Sequence, residues 1–132
     1  MIRTPLSRRL ALAAAAALLT ASLTTLAAAA LPEAWQTVAE RSDFQTASSY
    51  DETIELLQQL DRASPAIALD TFGRSGEGRP LPLVVVSADR AFTPAAAAAT
   101  GKPIVVIQSC IHAGEGDGKD ASLMMLRDWA VG

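Results

Sequence analysis

The sequence predicts an α/β domain with a mixed sheet and flanking helices, and three observations lead to this class. An amphipathic helical pattern begins near residue 49. Two short stretches with strand-like composition then flank a glycine-rich turn at residues 73–80. A continuous β-branched run at residues 103–110 precedes a second helical pattern, and strands buried in a sheet have this composition. The order of these elements indicates the opening part of an α/β domain whose sheet is incomplete in this sequence.

The first 30 residues have the organisation of an export signal. Three arginines precede an uncharged stretch that begins with LALAAAAALL, and small residues at 27–30 suit signal peptidase. We therefore expect residues 1–30 to be removed and the mature domain to span residues 31–132. A membrane anchor is the alternative, because residues 10–30 are long enough to cross a bilayer. Alanine and threonine dominate the second half of that stretch, which favours a cleaved signal and no stable membrane span afterwards.

Charge and cysteine content narrow the class of protein further. The chain has 11 basic and 14 acidic residues, and three of the basic ones lie in the predicted signal. The mature part is therefore acidic, which argues against a nucleic-acid partner.

The export route is not decided by the sequence. The segment SRRLAL is compatible with the Sec pathway and also resembles the twin-arginine signal, so both pathways stay open. We expect a periplasmic or extracellular protein, and the one cysteine, Cys110, excludes an intrachain disulfide.

The first predicted helix is SSYDETIELLQQLDRASP. Ser49 and Glu52 have the spacing of a capping box, in which each side chain accepts a hydrogen bond from the backbone of the other residue. Pro65 ends the pattern. The apolar residues of the predicted buried face are Tyr50, Ile54, Leu57 and Leu60.

A β-hairpin and a connection are predicted next. The stretches AIALDTFG and LPLVVVSA alternate well enough to form strands, and the glycines between them allow a tight turn. Glu77 and Arg79 are expected to stabilise this turn. Residues 91–101 are rich in alanine and are expected to form a connection with one helical turn.

The run at residues 103–110 is predicted to be a strand that is covered on both faces, with Cys110 packed as a small buried thiol. A helix should then open at Asp117 or Gly118, and Asp117 is a strong candidate for its N-cap. Lys119 and Asp120 are expected to form an exposed ion pair at the helix start. The predicted buried residues of this helix are Ala121, Met124, Met125 and Trp129.

His112 and Glu115 lie just past the predicted buried strand, where ligands bind in open α/β sheets. A spacing of three residues lets one turn direct an imidazole and a carboxylate to a single point, and Gly114 and Gly116 allow the backbone to bend there. Zn²⁺ accepts this pair of donors. The alternative is a structural histidine beside a glutamate that caps the next helix, and spacing alone does not decide between the two.

Three segments together resemble the zinc carboxypeptidase family, the carboxypeptidase A-like metallopeptidases, and in particular its exported bacterial members. The segments are SSYDETIELLQQL, FGRSGEGRPLPLVVVS and KPIVVIQSCIHAGEGDGKDASLMMLRD. By this resemblance the fold is an incomplete zinc-carboxypeptidase-like domain, and His112 and Glu115 are the first two zinc ligands. The family's third ligand, a histidine, and its general base, a glutamate, would follow Gly132, which would explain why the chain has one histidine.

The resemblance implies an exported zinc peptidase that acts on a peptide or peptide-like substrate. Many digestive members have an arginine between the two ligands, whereas this chain has Ala113 and Gly114, so specificity for a C-terminal carboxylate is in doubt. A zinc amidase or deacylase of the same fold is an alternative. A catalytically inactive fragment is another, and we expect residues 31–132 alone to fold poorly or aggregate and to lack hydrolase activity.

Overall fold

A computed structural model describes residues 32–131, so the predicted export signal lies outside the described residues. A short 3₁₀ helix, Glu33–Trp35, opens this part. Within residues 32–131, no helix combines the length and the apolar character needed to cross a membrane. The elements that follow, in chain order, are helix α1 (Val38–Arg41), helix α2 (Tyr50–Ala63), strands β1 (Ile67–Arg74) and β2 (Pro80–Val86), helix α3 (Pro94–Ala99) and helix α4 (Gly116–Val131).

Helix α2 begins with the predicted capping box. The Ser49 hydroxyl accepts from the Glu52 backbone N–H, and the Glu52 carboxylate accepts from the Ser49 N–H at 2.8 Å. The buried face is rotated slightly from the predicted one, because Tyr50 and Ile54 are only half-buried. Tyr50 lies at the side of the hairpin, where its hydroxyl donates to the Pro80 carbonyl at 2.8 Å. The buried residues of α2 are Thr53, Leu56, Leu57 and Leu60.

Strands β1 and β2 form the predicted hairpin. They pair antiparallel from Ile67 opposite Val86 to Arg74 opposite Pro80, with a bulge between Thr71 and Gly73. The turn closes through a hydrogen bond from the Ser75 N–H to the Arg79 carbonyl at 2.9 Å. Gly78 has a φ of +79°, a conformation that glycine adopts without strain. Glu77 and Arg79 lie 3.4 Å apart on this turn, and the Arg79 guanidinium also covers the Tyr50 ring, as expected of a stabilising pair.

The hydrophobic core joins α2 to the hairpin and to α4. Five buried side chains form its centre, and half-buried residues that include Trp35 and Leu126 pack around them. A core of this size provides modest stabilisation, so polar contacts between elements matter more than in a large domain. The five central residues are Leu56, Leu57, Leu60, Ile67 and Leu123.

The α/β class is confirmed, but the predicted third strand differs. Residues 102–110 form no helix or strand, and Val105 and Val106 are 79% and 85% exposed. The predicted buried strand is therefore wrong for this chain. The physical reason is the lack of neighbours: in residues 32–131 the sheet is the β1–β2 pair, and no strand or helix covers the run on either face. The composition of the run is that of a strand covered on both faces, but burial also requires other elements to pack against it.

Helix α4 also buries a different face from the predicted one. Asp120, Leu123 and Arg127 are buried, whereas Ala121 and Trp129 are exposed and the two methionines are half-buried. The hydrophobic pattern misleads here because two of the three inward positions carry charged side chains. Each of those charges has a partner in the segment that precedes α2.

The first of these charges is Asp120, whose side chain is 4% exposed. Its carboxylate accepts from the Ser48 backbone N–H at 3.1 Å and from the Ser48 hydroxyl. Lys119 lies 3.8 Å from the same carboxylate and donates to the Ser48 carbonyl. The Lys119–Asp120 pair was expected to be exposed, and this expectation is wrong because Ser48 covers it.

The second charge is Arg127, which binds the Glu40 carboxylate at 2.6 and 2.7 Å and Asp128 at 2.8 Å. Burial alone would raise the pKa of Glu40, but hydrogen bonds from Arg127 and Thr37 outweigh it and lower that pKa. Burial likewise opposes the charge of Arg127, yet its hydrogen bonds to Glu40 and Asp128 raise its pKa. The pair connects α1 to the last turns of α4.

This pair predicts an acid-sensitive contribution to stability. Because the pKa of Glu40 is lower when folded, its contribution is fully present above the ordinary value of 4.5 and is lost as the pH falls below it. We expect Glu40→Gln to lower the free energy of unfolding by about 1–2 kcal/mol at pH 7. The variant should also lose less stability than the parent between pH 5 and pH 3, as measured by urea unfolding.

Glu33→Gln, an exposed acid in the same segment, is the matched control and should leave both the neutral stability and the acid dependence unchanged. Equal acid dependence in the parent and in Glu40→Gln would contradict the assignment of this effect to the Arg127 contact.

Candidate metal centre

The two predicted zinc ligands lie in a short loop between the apolar run and α4. The Glu115 backbone N–H donates to the His112 carbonyl at 3.1 Å, which folds the loop into a single turn. At the end of the loop, a Cβ added to Gly116 would lie 3.0 Å from the Ala47 Cβ. Glycine at this position therefore lets α4 begin close to the segment that precedes α2.

The structure brings His112 and Glu115 together. The imidazole Nδ1 and the carboxylate Oε1 are 3.0 Å apart, and the side chains are 76% and 66% exposed. Both donors therefore face the outside of the loop, where an ion or a substrate can approach. Asp117, the predicted N-cap, lies in the first turn of α4, which begins one residue earlier. Its carboxylate there still complements the positive end of the helix dipole.

The donor pair fits zinc in type and in spacing. Imidazole nitrogen and carboxylate oxygen both bind Zn²⁺ at about 2 Å, so two donors of one tetrahedral ion lie about 3.3 Å from each other. The observed separation of 3.0 Å needs to open by only a few tenths of an ångström to accept an ion. Within residues 32–131, no group of three or more His, Cys, Asp or Glu side chains could hold a metal. Among the described residues, His112 and Glu115 thus offer two donors that are compatible with zinc.

Side chains on both sides of the loop hold its ends together. Before the loop, the Ser109 hydroxyl donates to the Gly118 carbonyl at 3.1 Å and lies 3.0 Å from the Ser122 hydroxyl. Ser122 itself donates to the Gly118 carbonyl at 2.7 Å. Sequence reasoning did not identify Ser109 or Ser122, and no local pattern could have done so, because 13 residues and a loop separate them.

Cys110 does not pack in the interior as predicted. Its side chain is exposed, and its thiol lies 3.3 Å from the Glu115 carbonyl, across the loop. The backbone at Cys110 has a φ of +56°, so the chain leaves the extended conformation at this residue. The alternation of a strand, on which the buried prediction depended, therefore ends before Cys110.

Comparison with known proteins identifies the family. A sequence model described as zinc carboxypeptidase matches residues 53–130, which is more than half of the chain and includes most of α2, the hairpin, the loop and most of α4. No curated protein and no solved structure matches the chain significantly. The matched region contains both His112 and Glu115. From these observations, the chain belongs to the zinc carboxypeptidase family.

Proposed function

We propose that this chain is the N-terminal part of an exported zinc metallopeptidase, in which His112 and Glu115 are the first two metal ligands. The observation that carries the proposal is the 3.0 Å approach of the His112 imidazole to the Glu115 carboxylate in an exposed loop. The family match over residues 53–130 supports a zinc carboxypeptidase-like hydrolase as the activity of the whole protein. The substrate class that follows is a peptide or peptide-like molecule.

In this proposal the roles of the residues follow from their chemistry. A bound zinc ion would supply a water molecule acidified to a pKa of about 7 and would polarise the scissile carbonyl. His112 and Glu115 hold their donors outward on a loop that the Ser109 and Ser122 hydroxyls connect to α4. We propose further that the third ligand, a histidine, and the general base, a glutamate, follow Gly132, as the family resemblance implies.

The residues between the ligands bear on specificity. Ala113 and Gly114 carry no guanidinium that could bind a substrate carboxylate, and both are exposed beside the ligand pair. We infer that substrate binding at this site depends less on a C-terminal carboxylate of the substrate than it does in the digestive enzymes.

We also propose that the protein is exported to the periplasm or the medium, as the N-terminal segment predicts.

Zinc binding by the full chain tests the ligand assignment. We expect His112→Ala and Glu115→Gln each to weaken zinc binding by more than about tenfold, since changes even to outer-shell partners have effects of that order. Equilibrium dialysis measures the bound zinc. Because His112 is the one histidine, its carbethoxylation, quantified by mass spectrometry, measures zinc protection at the site itself.

Asp117→Asn is the matched control, because Asp117 is also exposed and lies two residues from Glu115. Its zinc affinity should stay within about twofold of the parent, as expected of an acid that does not bind the metal. Equal zinc protection and affinity in the parent and in Glu115→Gln would contradict the proposed ligand pair.

With one histidine, the chain should show no zinc-dependent peptide hydrolysis, and robust cleavage would contradict the expected need for a third ligand.

A further inference from the structure

A cluster of three groups closes the base of the ligand loop, and we call it the hydroxyl brace: the side chains of Ser109 and Ser122 and the carbonyl of Gly118. The two hydroxyls lie 3.0 Å apart, and both lie within hydrogen-bond distance of the carbonyl, at 3.1 and 2.7 Å. Ser122 donates its proton to the carbonyl, so Ser109 can donate to the Ser122 oxygen or share its proton with the carbonyl. Each hydroxyl therefore has a partner inside the brace.

The position of the brace determines what it can do. Ser109 is three residues before His112, whereas Gly118 and Ser122 follow Glu115 on α4. The apolar run that leads into Ser109 is exposed and lies in no sheet, so it does not fix the start of the loop. The other contact across the loop joins the Cys110 thiol to the Glu115 carbonyl, and a thiol is a weak donor. In residues 32–131 the brace is thus the stronger connection between the incoming chain and α4.

The two serine side chains of the brace are partly shielded from water. Both serines are half-buried, whereas His112 and Glu115 are exposed, so the brace is better shielded from water than the ligands it adjoins. Ser109 packs closely against Gly118, since a Cβ added there would lie at ordinary van der Waals distance from the serine, at 3.7 and 3.9 Å. Hydrogen bonds that close a short loop reduce the number of conformations the two ligands can sample.

We propose that Ser109 and Ser122 are positioning residues, which hold the loop so that His112 and Glu115 are pre-organised for zinc. The inference rests on the proposed function and adds two residues to it that do not touch the metal. Loss of the brace should weaken zinc binding by about tenfold, the lower end of the range for supporting contacts around a metal site.

Zinc protection of His112 in the full chain tests the proposal. The parent is compared with Ser109→Ala, Ser122→Ala and the double variant, with zinc ion alone as the probe and carbethoxylation of His112 as the readout. Ser109→Ala should weaken zinc binding nearly as much as the double variant, because it removes both brace contacts that cross the loop. Ser122→Ala leaves the hydrogen bond from Ser109 to the Gly118 carbonyl in place and should have a smaller effect. Ser122→Thr retains a hydroxyl and should keep its affinity within about twofold of the parent.

Ser87→Ala is the matched control, because Ser87 is also a half-buried serine whose hydroxyl accepts a backbone hydrogen bond, from Ala91 at 3.0 Å. It should lower the urea midpoint without changing zinc affinity, which separates a general loss of stability from a loss of ligand positioning. If the double variant does not fold, Ser109→Ala decides the question, since it leaves the Ser122 to Gly118 hydrogen bond in place.

The outcomes distinguish the two proposals. The positioning role is overturned, and the ligand pair stays intact, if zinc protects the parent and the brace variants equally but does not protect Glu115→Gln. A parent chain whose His112 gains no protection from zinc overturns the ligand pair, and the positioning role fails with it. Weakened binding in the brace variants, with Ser122→Thr and Ser87→Ala unaffected, establishes the brace.

Discussion

Replacing Val105 and Val106 by lysine is expected to convert a self-associating chain into a largely monomeric one. These residues are the most exposed part of the apolar run, at 79% and 85%, and Ile104 and Ile107 beside them are exposed as well. An uncharged, β-branched segment with free backbone groups readily pairs with the same segment of another chain. Two lysines place like charges opposite each other in any such pairing and oppose it.

Sedimentation velocity over a wide concentration range measures this effect. Ala95→Lys/Ala96→Lys is the matched control, because it adds the same charge at two exposed residues of α3, outside the apolar run. The control should still associate, which separates the removal of a pairing surface from a general gain in solubility. A parent chain that stays monomeric at all concentrations would contradict the prediction, as would a control that behaves like the Val105 and Val106 variant.

Asp120→Ala is expected to lower the free energy of unfolding by about 3 kcal/mol, the largest effect of a single substitution that we predict. The change removes a buried carboxylate, on a side chain that is 4% exposed, and leaves the Ser48 N–H and hydroxyl without their acceptor. It also leaves the partly buried Lys119 charge without its nearby carboxylate. Few other contacts connect the segment before α2 to the start of α4, so this loss is not readily compensated.

Urea unfolding, carried out on the chain with the lysine pair to suppress association, measures the change. Asp117→Ala is the control, since it removes an exposed acid from the same helix, and its effect should stay below about 0.5 kcal/mol. Asp120→Asn is informative as well, because an amide oxygen can still accept from Ser48 and should retain part of the stability. A destabilisation by Asp120→Ala no larger than that of Asp117→Ala would show that the Ser48 contact contributes little.

The sequence predicted well those features that depend on neighbouring residues. Ser49 and Glu52 form their capping box because the two side chains lie one turn apart on any helix. The hairpin and its turn follow from glycines that allow tight backbone conformations between two β-type stretches. The contact between His112 and Glu115 is local in the same way, since a spacing of three residues in one turn suffices to bring the side chains together.

The tertiary structure alone decided the features that join distant residues. Asp120 and Arg127 occupy inward positions of α4 because Ser48 and Glu40, more than 70 residues earlier, accept or donate hydrogen bonds there. A hydrophobic pattern cannot reveal such partners, so it assigned the buried face to Ala121 and Trp129. The apolar run is the opposite case, since its composition predicts a covered strand, whereas burial depends on neighbours that residues 32–131 do not provide. Local chemistry thus determined the helix cap, the turn and the ligand pair, and only packing decided which side chains were removed from water.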